Sequence, residues 1–529
     1  RAAGPIAEEA TMTDPTTASP EGEAATAATW DLTPKVSPYL DLHMMFPLLE
    51  YVDSLISSGL IPFRAEDVAA ARLSLLRPTH MVDYAMDIYR ELHGQDAEIP
   101  EEMEEQKMKV FERMEELRAG CARFHELCGD EERNKLVAEG KWNINSLSQM
   151  TALGVTPEVV ETYRQHAKFN FDCGDYQASR DMLENYLSLF ASPPKQKGDE
   201  DDDGLSPQDQ AKAEEAGQTI GDPAMYYLTA VDSDLLQVLW GKLSCEILVE
   251  DWEEASTALT AVKTAIEQLA STKKITALEA LRQRTWLLHW SLFVFWNNSS
   301  KGLESMVELF FTDLYLQAVT TNAPHLLRYL TSAVLLVKRR VAKNSGGSGR
   351  SSDARRLMKD LVRVMRDCEY TDPIVEFVEC LCVKFDFESA QAKLAECEAV
   401  LTADFFLCKQ TALFMEEARV FVFENYCRIH NKIDLAALGE KLAMDQDQAE
   451  RWIVDLIRNA LLDAKIDSEE RCVVMGGESQ SVYEQVMERT RDLNVRSGTL
   501  VQNLANVLNE AKKEKARKAR AALEDDDEY

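Results

Sequence analysis

Apolar residues recur at intervals of three and four along most of the chain, and proline and glycine are scarce inside these stretches. This spacing puts the apolar side chains on one face of an α-helix. Strand-like alternation is almost absent before residue 464, so the pattern predicts an all-helical body. The clearest row, between residues 97 and 128, consists of Met103, Val110, Met114, Leu117, Cys121, Phe124 and Cys128.

Three segments of this helical body share a local pattern. DYQASRDML begins at residue 175, DWEEASTAL at 251 and DFESAQAKL at 386. Each has an aspartate, then an aromatic residue, then a small residue three positions further on and a leucine seven positions after the aromatic. A helical hairpin explains the pattern, because the small residue lets a neighbouring helix approach. Such repeats stack into a solenoid that resembles tetratricopeptide arrays, and we expect a right-handed one with irregular spacing.

A different order of elements is predicted near the C-terminus. A short helix has Leu435, Leu438 and Leu442 on its apolar face, the turn MDQD follows, and AERWIVDLIRNALLDAKID supplies a second helix. Two short strands, Ala464 to Asp467 and Cys472 to Met475, come next. Helix, turn, helix and hairpin is the order of a winged helix. Residues 478–523 are then predicted to form one long helix with Leu493, Leu500, Leu504, Val507 and Leu508 on its apolar side.

The charge of the chain argues against a winged helix that reads DNA. The 91 acidic residues exceed the 58 basic ones by 33, so broad nucleic-acid binding would need a segregated basic patch. The second helix presents Glu450, Asp455 and Asp463 beside Arg451 and Arg458. A DNA-reading helix presents Arg, Lys, Asn or Gln to the base edges. We therefore expect this winged helix to bind protein.

Two sets of residues are candidates for contacts with other subunits, and a third for RNA. The strands around Ile466 and Val473 offer an edge that could pair with a strand of another protein. The candidate interface comprises Ile466, Val473, Val474 and Met475 in the strands and Leu493, Leu500, Leu504 and Leu508 in the terminal helix. The basic stretch at 512–520 has two interpretations, a solvated helix end or a contact with RNA or an acidic partner. It contains Lys512, Lys513, Lys515, Arg517, Lys518 and Arg520.

Motifs for catalysis are missing from the sequence. There is no Gly-rich phosphate cradle, nucleophile elbow, HExxH or His-x-His stretch. Cys121, His125 and Cys128 share one helical face, but zinc ligand pairs have other spacings and these residues lie on an apolar row, so buried core is favoured. We expect no cofactor, no metal and no enzymatic activity. Eleven cysteines without framework spacing indicate reduced thiols in a cytoplasmic protein, and no apolar run is long enough for a membrane span.

These patterns divide the chain into seven parts. We predict a disordered acidic tail at 1–29, an N-terminal helical arm at 30–193, a disordered acidic insertion at 194–222, a helical-repeat solenoid at 223–430, a winged helix at 431–477, a C-terminal helix at 478–523 and an acidic tail at 524–529.

A helical solenoid that leads straight into a winged helix resembles the PCI domain, which the proteasome lid, the COP9 signalosome and translation initiation factor 3 share. In that family the last helices of the solenoid belong to the PCI domain. Several stretches resemble one family in particular, the E-type subunits of eukaryotic translation initiation factor 3. They are DLHMMFPLLEY (41–51), HMVDYAMDIYREL (80–92), LRQRTWLLHWSLFVFWN (281–297), PHLLRYLTSAV (324–334), DPIVEFVECLCVKFDFESAQ (372–391), FENYCRIH (423–430) and AERWIVDLIRNALLDAKID (449–467).

The resemblance implies a scaffold role in translation initiation. Family members pair their winged helices edge to edge and bundle their C-terminal helices in a PCI/MPN core. The expected partners are the other initiation factor 3 subunits, the D-type subunit among them, the small ribosomal subunit and the scaffold of the cap-binding complex, with RNA contacted indirectly and no membrane. Two alternatives stay open here: a PCI scaffold of the proteasome lid or signalosome, and a winged-helix regulator that binds nucleic acid.

Overall fold

The computed structural model describes most of the chain up to residue 430 and parts of the rest. The described ranges are 30–59, 63–94, 98–129, 131–139, 141–150, 154–190, 232–298, 301–344, 350–430, 432–434, 464–467 and 472–475, with residues 451 and 454 and helical residues between 483 and 512. The predictions for both tails, the acidic insertion and the winged-helix helices therefore lie outside the described residues, apart from isolated positions.

Nineteen α-helices are described up to residue 430. They are α1 (Thr33–Val36), α2 (Met45–Ser57), α3 (Ala65–Leu76), α4 (Val82–His93), α5 (Glu101–Gly129), α6 (Glu131–Ala138), α7 (Ile144–Gln149), α8 (Pro157–Asp172), α9 (Tyr176–Ser188), α10 (Ser233–Val249), α11 (Trp252–Ser271), α12 (Ala277–Asn297), α13 (Gly302–Phe310), α14 (Asp313–Thr321), α15 (Leu327–Asn344), α16 (Arg350–Asp367), α17 (Pro373–Glu379), α18 (Phe387–Ala403) and α19 (Thr411–Ile429). Most of them contact the helix before and the helix after, as in a solenoid.

The three repeated segments have the turn that their sequence pattern predicts. Asp175, Asp251 and Asp386 each cap a helix, and the carboxylate oxygen of each accepts a hydrogen bond from a backbone N–H three residues later. The residue before each aspartate is left-handed, with φ of 91° at Gly174, 65° at Glu250 and 56° at Phe385. The backbone N–H of each aspartate donates to a carbonyl five or six residues earlier, that of Asn170, Glu246 or Cys380, and this bond closes the turn between the two helices.

The small residues of these repeats are fully buried. Ser179, Ala255 and Ala390 are each 0% exposed. Leu183 and Leu259 are also buried, whereas the aromatic residue of each repeat is half-buried between neighbouring helices. A larger side chain at the small positions would push two backbones apart, because protein interiors are close-packed. The predicted solenoid of helical hairpins is confirmed.

Residues 30–57, which we call the N-terminal strap, run across helices that are distant in sequence. The Tyr39 ring stacks on that of His289 at 4.2 Å between centroids, and the indole N–H of Trp290 donates to the carbonyl oxygen of Tyr39 at 3.0 Å. Near its middle, Nδ1 of His43 lies 3.0 Å from the hydroxyl of Tyr176. The strap therefore connects the predicted N-terminal arm to the predicted solenoid. Residues 1–422 consequently form one compact unit, and residues 423–529 a second.

The strap is also held by a buried arginine. The guanidinium of Arg328, 1% exposed, donates to Asp372 at 2.7 Å, to Asp404 at 3.1 Å and to the carbonyl oxygen of Trp30 at 2.8 Å. Burial alone would lower the pKa of Arg328, but the two carboxylates raise it, so the side chain stays charged. Tyr329 and Tyr370 donate their hydroxyls to the same two aspartates. This network saturates charges that would otherwise be costly to bury.

The second unit contains a three-stranded antiparallel sheet. Its strands are β1 (Lys432–Asp434), β2 (Ala464–Asp467) and β3 (Cys472–Met475), in the order β1-β3-β2. The hairpin of β2 and β3 lies at the residues that the sequence predicts. Strand β1 was not predicted, because three residues with one apolar side chain give no alternation to detect.

Removal of the buried cation should destabilise the first unit strongly. We expect Arg328→Met to lower the free energy of unfolding by about 3–5 kcal/mol, because two buried carboxylates lose their partner. Urea unfolding followed by far-ultraviolet circular dichroism measures this. Arg356→Met, at a guanidinium whose side chain is 82% exposed, is the matched control and should have little effect. Equal effects of the two substitutions would contradict the role assigned to Arg328.

Glu246 should make the stability depend on pH near neutrality. Its side chain is 2% exposed, its Oε2 has no hydrogen-bond partner among the described residues, and the nearest guanidinium nitrogen, of Arg180, is 3.8 Å away. Burial raises the pKa of Glu246 to about 7. The folded protein therefore binds a proton at the Glu246 carboxyl more tightly than the unfolded chain does. This proton binding stabilises the fold, and the stabilisation is lost as the pH rises through about 7.

Glu246→Gln should consequently raise the melting temperature at pH 8 and leave it nearly unchanged at pH 5. The effect of the substitution on the free energy of unfolding should differ by about 2–3 kcal/mol between the two conditions. Melting curves of both proteins across this pH range provide the measurement. Glu253→Gln, at an exposed position of α11, is the control. A pH-independent effect of Glu246→Gln would show that the buried carboxyl does not carry this charge penalty.

Candidate subunit interface

The described part of the C-terminal helix carries a row of exposed apolar side chains, the C-terminal seam. Residues 493–505 are helical, as are the described residues on either side from 483 to 512. The exposed fractions of the side chains in the row run from 55% at Leu504 to 83% at Tyr483. The seam consists of Tyr483, Val486, Met487, Leu493, Leu500, Val501, Leu504, Val507 and Leu508.

The spacing along this seam is that of a helix which packs against other helices. Val486, Leu493, Leu500 and Val507 are each seven residues apart, and the other members lie beside them at intervals of three and four. Within the part of the chain that the structure describes, nothing covers the seam. An apolar face of this length in water is unfavourable, and it marks a surface for a partner. Four of the predicted interface residues, Leu493, Leu500, Leu504 and Leu508, lie on it.

The small sheet offers edges at β1 and β2. Strand β3 pairs with β1 through Lys432–Val474, Ile433–Val473 and Asp434–Cys472, and with β2 through Ile466–Val473 and its neighbours. Val473 and Val474 are therefore paired with a strand of the chain on both sides, and Met475 is paired with Ala464 of β2. Pairing with a strand of another protein would have to use the outer edge of β2, which includes Ile466, or that of β1. Of the predicted strand residues, Ile466 in β2 therefore remains a candidate for backbone pairing with another protein.

The predicted basic stretch is described at Lys512, which is helical and exposed. Lys513, Lys515, Arg517, Lys518 and Arg520 lie outside the described residues. The structure therefore leaves the two interpretations of this stretch as they were, and the RNA contact remains a prediction.

Of the three residues considered as zinc ligands, Cys121 is buried and Cys128 half-buried, whereas His125 is exposed, so the expectation of buried core is wrong for His125. Two other histidines, His289 and His325, lie in the core of the first unit. Nε2 of His289 is 2.9 Å from Nε2 of His325, and burial lowers the pKa of the two to about 4 and about 3. Both are neutral at physiological pH. Cys121 is 1% exposed, its sulfur lies 3.3 Å from Nδ1 of His166, and burial raises the pKa of this thiol. Among the described residues no group of three His, Cys, Asp or Glu side chains is placed to hold a metal.

A small cavity lies beside the buried arginine. It is lined by Trp30, Leu32, Tyr51, Arg328 and Asp404, among others, and its volume is about 40 Å³. That is room for a few water molecules, and small-molecule sites are much larger. Its polar lining is already used in the network around Arg328. This cavity therefore gives no support to a substrate or cofactor site.

No helix within the described ranges is both long and apolar enough to cross a lipid bilayer.

Two family models match the chain. The model described as the eIF3 subunit 6 N-terminal domain matches residues 31–170, and the PCI domain model matches residues 394–476. The second match covers the later part of α18, all of α19 and the three-stranded sheet, and it includes all but the last residue of the predicted winged helix. The first contains most of the predicted N-terminal arm.

Curated relatives match nearly the whole chain. The E-type subunit of eukaryotic translation initiation factor 3 from Arabidopsis thaliana is 35% identical over 490 residues, which are 90% of this chain and 96% of that protein. The protein of that name from Bombyx mori is 37% identical over 477 residues, 89% of this chain and 94% of the relative. That of Aspergillus clavatus is 34% identical over 501 residues, 94% and 98% respectively.

The uncovered seam predicts that the isolated chain binds apolar dyes and self-associates. Substitution of Leu493, Leu500 and Leu504 by Gln, the seam variant, should reduce both properties, because three exposed leucines are removed from one helical face. Dye fluorescence and sedimentation velocity measure them. The control is Leu278→Gln, which changes a leucine that is 77% exposed in the first unit. If the control reduced dye binding and self-association equally, the seam would not be the apolar surface responsible for them.

Proposed function

The chain belongs to the family of E-type subunits of eukaryotic translation initiation factor 3, and from this premise we propose that it is a non-catalytic scaffold subunit of that complex. The observation that carries the proposal is the C-terminal seam, an apolar helical face that the described residues leave exposed. A scaffold needs such a face because it must offer apolar area to neighbours while remaining folded on its own core.

Two contacts would hold the protein in the complex. In the first, the C-terminal seam enters a helical bundle formed with other subunits, and buries the leucines that now face solvent. In the second, the outer edge of β2 pairs with a strand of a neighbouring PCI subunit. The two contacts lie in the same compact unit of residues 423–529. The first unit, a solenoid with its own saturated core, then presents a long helical surface to further partners.

Further partners follow from the family and are proposals for this chain. We infer that the first unit attaches the D-type subunit, and that the assembled complex brings the protein to the small ribosomal subunit and to the scaffold of the cap-binding complex. The absence of enzymatic activity and the cytoplasmic location are part of the same proposal. The proteasome lid and the signalosome are disfavoured, because the relatives named above are initiation factor subunits over at least 89% of this chain.

Loss of the seam should release the protein from its complex. We expect the amount of other initiation factor subunits that co-purify with the tagged seam variant from a cytosolic extract to be at least tenfold lower than with the unaltered protein. A loss of about 1.4 kcal/mol of binding free energy corresponds to a factor of ten. Quantitative mass spectrometry of the purified material measures this. Leu278→Gln should retain all of them.

The circular dichroism and melting temperature of the seam variant should match those of the unaltered chain, because the substituted side chains are exposed. A well-folded seam variant that still brings down the complete set of subunits would overturn the proposed mode of assembly.

A further inference from the structure

One part of this acidic chain is strongly basic, and it lies outside the C-terminal seam and the strand edges. Between residues 338 and 366 the sequence has ten basic residues and two acidic ones, although acids outnumber bases in the chain as a whole. The described residues of the segment belong to helices α15 and α16, which pack against each other in the first unit. The basic residues are Lys338, Arg339, Arg340, Lys343, Arg350, Arg355, Arg356, Lys359, Arg363 and Arg366, and the acidic ones Asp353 and Asp360.

Helix α16 is fixed by its apolar side and presents cations on the other. Leu361, Val364 and Met365 are buried in the first unit. The opposite side exposes a row at intervals of three, four and three residues: Arg356, Lys359, Arg363 and Arg366. On an α-helix these four positions fall within an arc of about 80°. We call this row the α16 basic face. Arg340, on α15, is exposed as well.

The charges of the α16 basic face are largely uncompensated. Arg356 has an acidic neighbour, Asp360, with 3.9 Å between Nε and Oδ2, and that pair is exposed to solvent. Within the described ranges no carboxylate forms an ion pair with Lys359, Arg363 or Arg366. Asp360 and Asp367 lie along one edge of the row and leave its centre positive. The cations are therefore available to an external anion.

The chemistry of this face favours a phosphate backbone over an acidic protein surface. Protein interfaces bury an apolar centre, and none of the large exposed apolar side chains among the described residues lies on α16. Binding to a phosphate backbone needs only cations. The Cβ atoms of neighbouring residues on one helical face are about 5–6 Å apart, so flexible cationic side chains there can reach successive phosphates of one strand. The sequence of α16 contains no aromatic residue for base stacking, so the contact would be independent of sequence.

We propose that the α16 basic face is a site that binds the phosphate backbone of single-stranded RNA. The inference does not depend on the scaffold function, because it rests on the α16 basic face, whereas the C-terminal seam and the strand edges that carry the scaffold proposal belong to the second unit. It assigns to the chain a direct RNA contact at a different place from the basic stretch at 512–520.

The test measures binding of the full-length chain to a short fluorescent oligouridine by anisotropy, over a range of salt concentrations. The face variant combines Arg356→Gln, Lys359→Gln, Arg363→Gln and Arg366→Gln. We expect its Kd to rise about tenfold or more, and the slope of log K against log salt to become shallower by about three, since each phosphate contact contributes about 0.7 for a single strand.

Two further proteins make the result specific. The control combines Lys109→Gln, Arg113→Gln, Arg118→Gln and Arg123→Gln, all exposed on α5, and it has the same net charge as the face variant. It should bind as the unaltered chain does. A second protein with Arg356→Lys, Arg363→Lys and Arg366→Lys keeps the charges and should keep most of the affinity. The stretch at 512–520 is intact in all of them, so any difference reports on α16.

The proposal is overturned if the face variant and the α5 control lose the same affinity, since net charge would then explain the binding. It is also overturned if neither changes. If polyglutamate binds the face while oligouridine does not, the partner is an acidic protein and not RNA. Should the face variant melt at a lower temperature, the pair Lys359→Gln and Arg366→Gln repeats the test with about half the change in slope.

Discussion

The first unit depends on one buried cation. Arg328 lies in α15, its carboxylate partners Asp372 and Asp404 lie beside α17 and α18, and its third partner is the backbone of Trp30, 298 residues earlier in the chain. A charge buried this deeply is tolerated only when it is paired with opposite charge and hydrogen-bonded. The N-terminal strap and the last helices of the solenoid must therefore come together in one arrangement. This constraint turns a repetitive stack, in which each repeat contacts only its neighbours, into a single body.

Local patterns were sufficient to predict the repeats, because the information lies within nine residues. The aspartate that caps the helix, the buried small residue and the left-handed residue before the aspartate all belong to one turn. The hairpin of β2 and β3 and the leucines of the C-terminal seam were also predicted from spacing along a single stretch of chain. The contacts of Arg328 could not be read from the sequence, since its partners are 44, 76 and 298 residues away. Strand β1 likewise decides which residues are at an edge, and it lies 38 residues before β3.

The two compact units differ in physical character: the first has a buried core of its own, and the second exposes surfaces for neighbours. The first has a dense apolar core, neutral histidines, raised thiol pKa values and a saturated ion network, all of which favour rigidity over chemistry. The second exposes apolar leucines and strand edges, which are unfavourable in isolation and become favourable when neighbours cover them. The positive row on α16 adds a charged surface to the rigid unit. Stability and association thus reside in different parts of the chain.

The central claim is that this chain acts as a structural component of the initiation factor 3 complex. The most direct measurement is sedimentation of the tagged, unaltered protein through a sucrose gradient, with its co-purified partners identified by mass spectrometry. We predict that the protein sediments with small ribosomal subunits and that the other initiation factor 3 subunits accompany it in stoichiometric amounts. Sedimentation as a free protein, or together with proteasome or signalosome subunits, would contradict the claim.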